Sequence, residues 1–104
     1  MRKIYAKAIP SYFTLGCIKW SVQRLRVCEE AVTPRMGDCS EINCTIRVFT
    51  ECLGVQIPRD KQEETFIHEL VHAILFQMSH PLARNESFVQ TFASFLYQYM
   101  SRKK

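Results

Sequence analysis

The segment TFIHELVHAILFQM, residues 65–78, places two histidines and an acid in an otherwise largely apolar run. Residues four apart on a helix lie on the same face, so His68 and His72 can direct both imidazoles at one metal ion. Glu69 is turned about 100° around the helix axis, so its carboxylate lies beside such an ion and can take a proton from a water molecule. The H-E-x-x-H spacing therefore predicts a single catalytic zinc site with Glu69 as general base.

A catalytic zinc ion needs a third protein ligand and an open position for water. Glu86 follows Asn85 at the start of a second helical segment, fourteen residues after His72. The intervening loop is long enough for that segment to fold back, which makes Glu86 the candidate third ligand. His80 is a rival, although it lies eight residues after His72 where the three-histidine pattern of metzincins needs six. The two-histidine, one-carboxylate set also suits Fe(II), but an H-E-x-x-H helix favours zinc.

A simpler interpretation remains open for the same residues. The two histidines could be satisfied by hydrogen bonds on a partly exposed helix face, with Glu69 as a solvated charge. An acid at position 86 is also favoured by the dipole at a helix N-terminus, whether or not a metal ion is present.

Apolar periodicity outlines the two helices that must position these residues. The first lies within residues 57–79, with Asp60 as predicted N-cap and Glu63 as its reciprocal partner, and is expected to end near residues 79–81. Its stripe consists of Phe66, Ile67, Leu70, Val71, Ile74, Leu75 and Met78. The second begins after Asn85, which is a suitable N-cap. Its predicted core-facing stripe consists of Phe88, Val89, Phe92, Phe95, Leu96 and Tyr99.

The first half of the chain has the composition of β-strands. Residues 16–28 are rich in β-branched and aromatic residues, and a change of phase near Gln23 predicts a bulge. Residues 41–49 alternate, with Ile42, Cys44, Ile46 and Val48 on one face. We expect these two strands to pair as a hairpin, with a third strand supplied by the first fifteen residues. The predicted fold is one α+β domain over residues 1–104: a small antiparallel sheet of two to three strands packed on two helices.

Composition limits the other classes of function. Of the 104 residues, 47% are hydrophobic and 23% are charged, which is typical of a globular domain. No apolar run reaches the roughly 18 residues of a membrane span, and Lys7 and Pro10 interrupt any signal-peptide core. The net charge of +4 is too mild to indicate a nucleic-acid surface. We therefore expect a cytoplasmic protein that binds neither membrane nor nucleic acid.

The five cysteines are an odd number and are expected to be reduced thiols. Cys39, Cys44 and Cys52 could in principle bind a separate structural zinc ion, but their spacing lacks a C-x-x-C pair.

HELVH followed by NESFV resembles the pattern of the gluzincin metallopeptidases. Residues 37–98 as a whole are similar to the short minigluzincin-like zinc peptidases encoded in phage and prophage genomes, in which a strand, an HExxH helix and a third-ligand helix follow one another. The matching pieces here are NCTIRVF, TFIHELVHAIL and ESFVQTFASFL. The resemblance implies that His68, His72 and Glu86 bind zinc and that Glu69 is the general base.

One position departs from the larger gluzincins, which have an aspartate four residues after the ligand glutamate. This chain has Gln90, whose amide oxygen can still accept a hydrogen bond from a ligand histidine but orients it less strongly. The substitution predicts reduced zinc affinity or activity.

The predicted activity is hydrolysis of a protein or peptide substrate by a zinc-activated water. Tyr97 and His80 are the candidates for stabilising the oxyanion. The alternative is a zinc-binding interaction domain of the same fold with weak or no turnover. Neither the substrate nor the oligomeric state follows from the sequence.

Overall fold

A computed structural model describes residues 9–26 and 35–101 of the chain. Strands come first and helices second, which is the predicted α+β class. The elements are β1 (Tyr12–Leu15), β2 (Ile18–Leu25), β3 (Gly37–Ser40), β4 (Thr45–Phe49), β5 (Glu51–Cys52), β6 (Val55–Gln56), α1 (Arg59–Gln77) and α2 (Glu86–Ser101).

The main sheet has four strands in the order β1-β2-β4-β3 and is mixed, so the prediction of two to three antiparallel strands was wrong in both respects. β1 and β2 form an antiparallel hairpin around Gly16, and β3 and β4 are also antiparallel. β2 and β4 pair in parallel rather than as the predicted hairpin. The reason is that β3 lies between them in the chain and forms the hairpin with β4 instead. β4 therefore returns beside β2 in the same direction as β2, and β3 occupies the outer edge. The pairing of β2 with β4 is continuous from Ser21 to Leu25, so it has no bulge at Gln23.

The strand predicted over residues 41–49 begins later, at Thr45. Residues 41–44 form the turn between β3 and β4, in which Cys44 has a positive φ of 50° and Ile42 is 89% exposed. Ile46 and Val48 are fully buried, as their alternation predicts. The apolar period is therefore correct inside the strand and fails in the turn, where the side chains do not alternate between two faces.

The core lies between one face of the sheet and the two helices. The largest buried side chains are Trp20, Phe49, Ile46, Ile67, Val48 and Val89. α1 packs against both β3 and β4, and α2 packs on α1. A short second hairpin, β5–β6, leads from β4 into α1.

α2 has the predicted N-cap, because the backbone N–H of Phe88 donates to Asn85 Oδ1 at 2.9 Å. Its predicted core stripe is only partly correct. Val89 is fully buried, whereas Phe92 and Phe95 are 50% and 66% exposed. The reason is that α2 packs through a narrow face onto α1, and no described element covers its other side.

Neither helix of the described residues combines the length and the apolar character that crossing a membrane requires. Of the five cysteines, Cys17, Cys39, Cys44 and Cys52 are free thiols. Cys28 lies outside the described residues.

Candidate metal centre

Three side-chain donors converge where the middle of α1 faces the start of α2. Nε2 of His68 lies 3.2 Å from Oε1 of Glu86, and Nε2 of His72 lies 3.1 Å from Oε2 of the same carboxylate. All three donors lie within 4.8 Å of one another. Among the described residues this is the one group of three or more such side chains close enough to hold a metal ion, and it contains no cysteine.

The connection between the helices places Glu86 at this point. α1 ends where Ser79 adopts a positive φ of 54° and the N–H of His80 bonds back to the carbonyl of Leu75 at 2.8 Å. A tight turn over residues 81–84 follows, and Asn85 then caps the first turn of α2. Glu86 is the first residue of that helix, so its position depends on the short reversal and on the cap.

A backbone carbonyl orients the imidazole of His72, which is 5% exposed. Its Nδ1 lies 2.7 Å from the carbonyl oxygen of Ala83. A carbonyl only accepts, so Nδ1 carries a proton, and Nε2 is the ring nitrogen that faces Glu86. Two acceptors 3.1 Å apart repel one another unless a proton or a metal cation lies between them. This arrangement is the usual outer-shell support of a metal-binding histidine.

His68 is less buried than His72, and its surroundings lower its pKa and so favour the neutral ring. Burial and the neighbouring His72 lower its pKa, while Glu86 and a side-chain hydrogen bond with Gln90 act in the opposite direction. The effect of Gln90 is the one expected when the imidazole N–H donates to an amide oxygen. Gln90 therefore lies beside His68, and its role as the outer support of a metal-binding histidine stays a prediction.

The separations are compatible with a small metal ion such as zinc. Tetrahedral ligands at about 2.0–2.2 Å from zinc lie about 3.3 Å from one another. The two observed nitrogen–oxygen distances, 3.2 and 3.1 Å, are close to that value. The donors line an open cavity of about 490 Å³, which leaves room for water and a substrate beside them.

Glu69 lines the same cavity without joining the group of donors. It is 8% exposed, and burial raises its pKa to about 8, with further increases from Glu86 and Asp38 and a decrease from Arg35. A carboxyl with that pKa exchanges its proton near neutral pH, which a general base and acid must do.

The edge strand β3 forms the wall opposite α1. A Cβ at Gly37 would lie 2.7 Å from both the Arg47 carbonyl oxygen and Thr65 Cγ2, and 3.6 Å from Glu69 Cγ. The absence of a side chain therefore allows β3 to approach α1 beside Glu69. Cys39 follows two residues later, and burial together with the charge of Glu69 raises its pKa to about 12, so it is a neutral thiol.

β3 also directs backbone groups away from its described partner strand and toward the cavity. It is the outer strand of the sheet in the part of the chain that the structure describes. The carbonyl of Met36 accepts from the N–H of Phe49, so by antiparallel alternation Gly37 and Cys39 direct their N–H and C=O groups away from β4. Both residues line the cavity that contains the donors.

The two candidates for the oxyanion donor lie elsewhere. The hydroxyl of Tyr97 donates to the carbonyl of Asp60 at 3.1 Å, at the start of α1. Nδ1 of His80 accepts from the N–H of Leu82 at 3.0 Å, within the turn between the helices. Neither residue lines the cavity of the donors.

Two cations that the sequence did not single out line that cavity instead, namely Arg35 and Arg84. Arg84 pairs with Glu41 at 2.8 Å and stacks over Phe76, while Arg35 lies 3.7 Å from Asp38. Arg84 stands two residues before Glu86, and that proximity was the one sequence signal that could have indicated its position.

Comparisons of the chain with protein-family models, curated proteins and solved structures found no match.

Proposed function

We propose that this chain is a zinc-dependent metallopeptidase. The observation that carries the proposal is the convergence of His68, His72 and Glu86 on one point, in a cavity shared with the buried carboxyl of Glu69. A site that only stored a metal ion would have no need of a fourth, proton-exchanging acid beside the donors.

A zinc ion bound by His68, His72 and Glu86 would supply Lewis-acid chemistry, lowering the pKa of water toward neutrality and polarising a peptide carbonyl. The protein's own part is to hold the ligands in place and to move the proton. Ala83 and Gln90 orient the two imidazoles from behind.

Glu69 is the proton carrier in this proposal. Its carboxylate removes a proton from the attacking water and returns it to the amine of the leaving product. The burial that raises its pKa gives this carboxyl the proton affinity that the step requires.

Negative charge that develops on the carbonyl oxygen needs a nearby donor or cation. Because Tyr97 and His80 are bound elsewhere, we assign this role to one of the two arginines of the cavity, Arg35 or Arg84.

The substrate in this proposal is an extended peptide. The outward N–H and C=O groups of Gly37 and Cys39 can pair with a peptide backbone, as an exposed sheet edge does in β-augmentation. Such pairing would hold a peptide bond between β3 and the donors of α1 and α2.

The first experiment is a measurement of metal content on protein without a histidine tag. The wild type should contain about one zinc per chain, and His72→Ala and Glu86→Ala should lose it. The matched control is His80→Ala, which removes the third histidine of the chain and should keep the zinc, because His80 is engaged in the turn.

Peptide hydrolysis is then assayed with zinc-loaded wild type and zinc-loaded Glu69→Gln. The isosteric amide of the variant cannot act as a base, so the variant should bind zinc but should not turn over. Glu63→Gln is the control for losing a buried acid of the same helix away from the donors. Zinc binding without hydrolysis in the wild type would instead support the zinc-binding interaction domain. Absence of zinc after loading would overturn both.

A further inference from the structure

Three cavities follow one another along α1, and the donors lie in the cavity at one end of the three. The cavity of the donors shares Gly37, His68 and Glu69 with a smaller cavity of about 230 Å³ toward the start of α1. This smaller cavity in turn shares Lys61 and Glu64 with a third, of about 500 Å³. Together they form a groove between the helices and β3 that passes the candidate metal centre.

The far end of this groove is apolar. The third cavity is lined by Met36, Val55, Ile57, Pro58 and Tyr97, together with Cys52 and the polar residues that border it. The β5–β6 hairpin supplies part of this wall, with Cys52 and Val55 paired across it. Val55 is 68% exposed, so an apolar surface is open to a ligand at this end.

The opposite end of the groove is polar. A cavity of about 790 Å³ adjoins the donor cavity through Arg35, Asp38, Cys39, Phe76 and Arg84, and it continues to Ser40, Asn43, Thr45 and Arg47. The two ends therefore differ in chemistry, and an extended peptide that fills the groove meets a different environment on each side of the donors.

The distance between the donors and the apolar cavity determines how many substrate residues lie between the cleaved bond and the side chain in that cavity. Glu64 and Lys61 line the apolar cavity and lie six and nine residues of α1 before the midpoint of His68 and His72. At the helical rise these separations are about 9 Å and about 14 Å. A peptide in an extended conformation covers that distance with about three or four residues.

From this geometry we propose that the cavity at the β5–β6 hairpin binds a large apolar side chain of the substrate, about three or four residues from the cleaved bond and on one side of it only. The proposal rests on the metallopeptidase function, and it adds the substrate class: extended peptides with an aromatic or large aliphatic residue at that position.

The test uses ten-residue peptides of serine, threonine and alanine in which one phenylalanine moves from position to position. Cleavage sites are mapped by mass spectrometry, and binding of the fluorescein-labelled peptides to Glu69→Gln is measured separately by fluorescence polarisation, with and without zinc. Val55→Lys places a charge in the apolar cavity. Leu53→Lys is the matched control, because Leu53 is in the same hairpin, is 81% exposed and does not line the cavity.

We expect the cleaved bond to follow the phenylalanine at a constant offset of about three or four residues. Val55→Lys should weaken binding of the preferred peptides about tenfold or more, since burial of an aromatic side chain is lost, and Leu53→Lys should not. Binding that does not depend on the position of the phenylalanine would overturn the proposal, as would equal losses in the two lysine variants.

The peptidase function and the apolar subsite can be overturned independently of each other. Cleavage without any constant offset would leave the peptidase standing and remove the apolar subsite. Position-dependent binding that Val55→Lys weakens, without cleavage by the wild type, would establish the subsite and overturn the peptidase.

Discussion

Nδ1 of His72 lies 2.7 Å from the carbonyl oxygen of Ala83, in the loop that leads to Glu86. The same eight-residue connection thus positions one candidate ligand, Glu86, and orients another, His72. Because a carbonyl cannot donate, the contact selects the tautomer of His72 whose Nε2 is free to bind a metal ion.

The tautomer can be observed directly. In metal-free protein in alkaline buffer, ¹⁵N NMR should show His72 protonated at Nδ1, and zinc should shift the Nε2 resonance while Nδ1 keeps its proton. His80→Ala removes one of the three histidines and simplifies the assignment. Protonation of His72 at Nε2 in the metal-free protein would contradict the proposed orientation.

Gln90 should contribute to metal affinity although it is not a ligand. Replacing it with leucine removes the amide that lies beside His68 and that raises its pKa, and should weaken zinc binding about 10- to 100-fold, as measured by competition with a chromogenic chelator. Gln98→Leu is the matched control on the same helix, where the amide bonds only to Ser94 Oγ at 3.3 Å. Equal zinc affinities for the two variants would rule out a supporting role for Gln90.

Glu69 should make metal-free protein less stable as the pH rises. Its pKa is raised from 4.5 to about 8 on folding, so its full contribution to stability is present below about pH 4.5 and is lost as the pH passes through about 8. The shift corresponds to a loss of up to roughly 5 kcal/mol in the free energy of unfolding.

Urea denaturation in EDTA at pH 5 and pH 9 measures this loss. The difference between the two pH values should be smaller in Glu69→Gln than in the wild type, while Glu63→Gln should keep the wild-type difference because Glu69 is intact. Zinc should also reduce the difference, since a nearby cation favours the charged carboxylate. Identical differences in wild type and Glu69→Gln would show that the carboxyl is not shifted.

Gly37→Ala should destabilise the fold by about 1–3 kcal/mol, because the new methyl group would overlap the Arg47 carbonyl oxygen and Thr65 Cγ2. The Arg47 oxygen belongs to β4 and can give way only if β3 separates from it. Thr65→Ser in the same chain removes one of the two overlaps and should restore part of the stability. A fully stable single variant would show that β3 does not lie so close to α1.

The two faces of α2 should respond differently to truncation. Val89→Ala creates a cavity at a fully buried position and should cost about 2 kcal/mol, whereas Phe95→Ala at a position 66% exposed should change stability by less than about 0.5 kcal/mol. Chemical denaturation of the two variants side by side checks this, and a larger loss for Phe95→Ala would mean that the exposed face is covered in solution.

The donors could be predicted from the sequence because everything that brings them together is local. The i, i+4 spacing of His68 and His72 and the N-cap at Asn85 both act within one or two helical turns. Tyr97 illustrates the limit of such reasoning. It lies near the same helical face as Glu86, yet eleven residues along a helix are about 16 Å, too far to reach the same point.

The sheet could not be predicted in the same way, because strand pairing is decided by distant segments. Nothing in residues 16–28 or 41–49 distinguishes a hairpin from the observed parallel pairing of β2 with β4. The stripe of α2 failed for a related reason: the helical period identifies an apolar face but not whether another element covers it.

All three donors lie within nineteen consecutive residues, 68–86, whereas the surroundings of Glu69 depend on β3, which comes from a distant part of the chain. A chain in which only α1, the turn and α2 have formed already contains all three donors. If the proposed function is correct, binding of the metal ion requires only this helical pair, whereas the proton-transfer environment of Glu69 also requires the sheet.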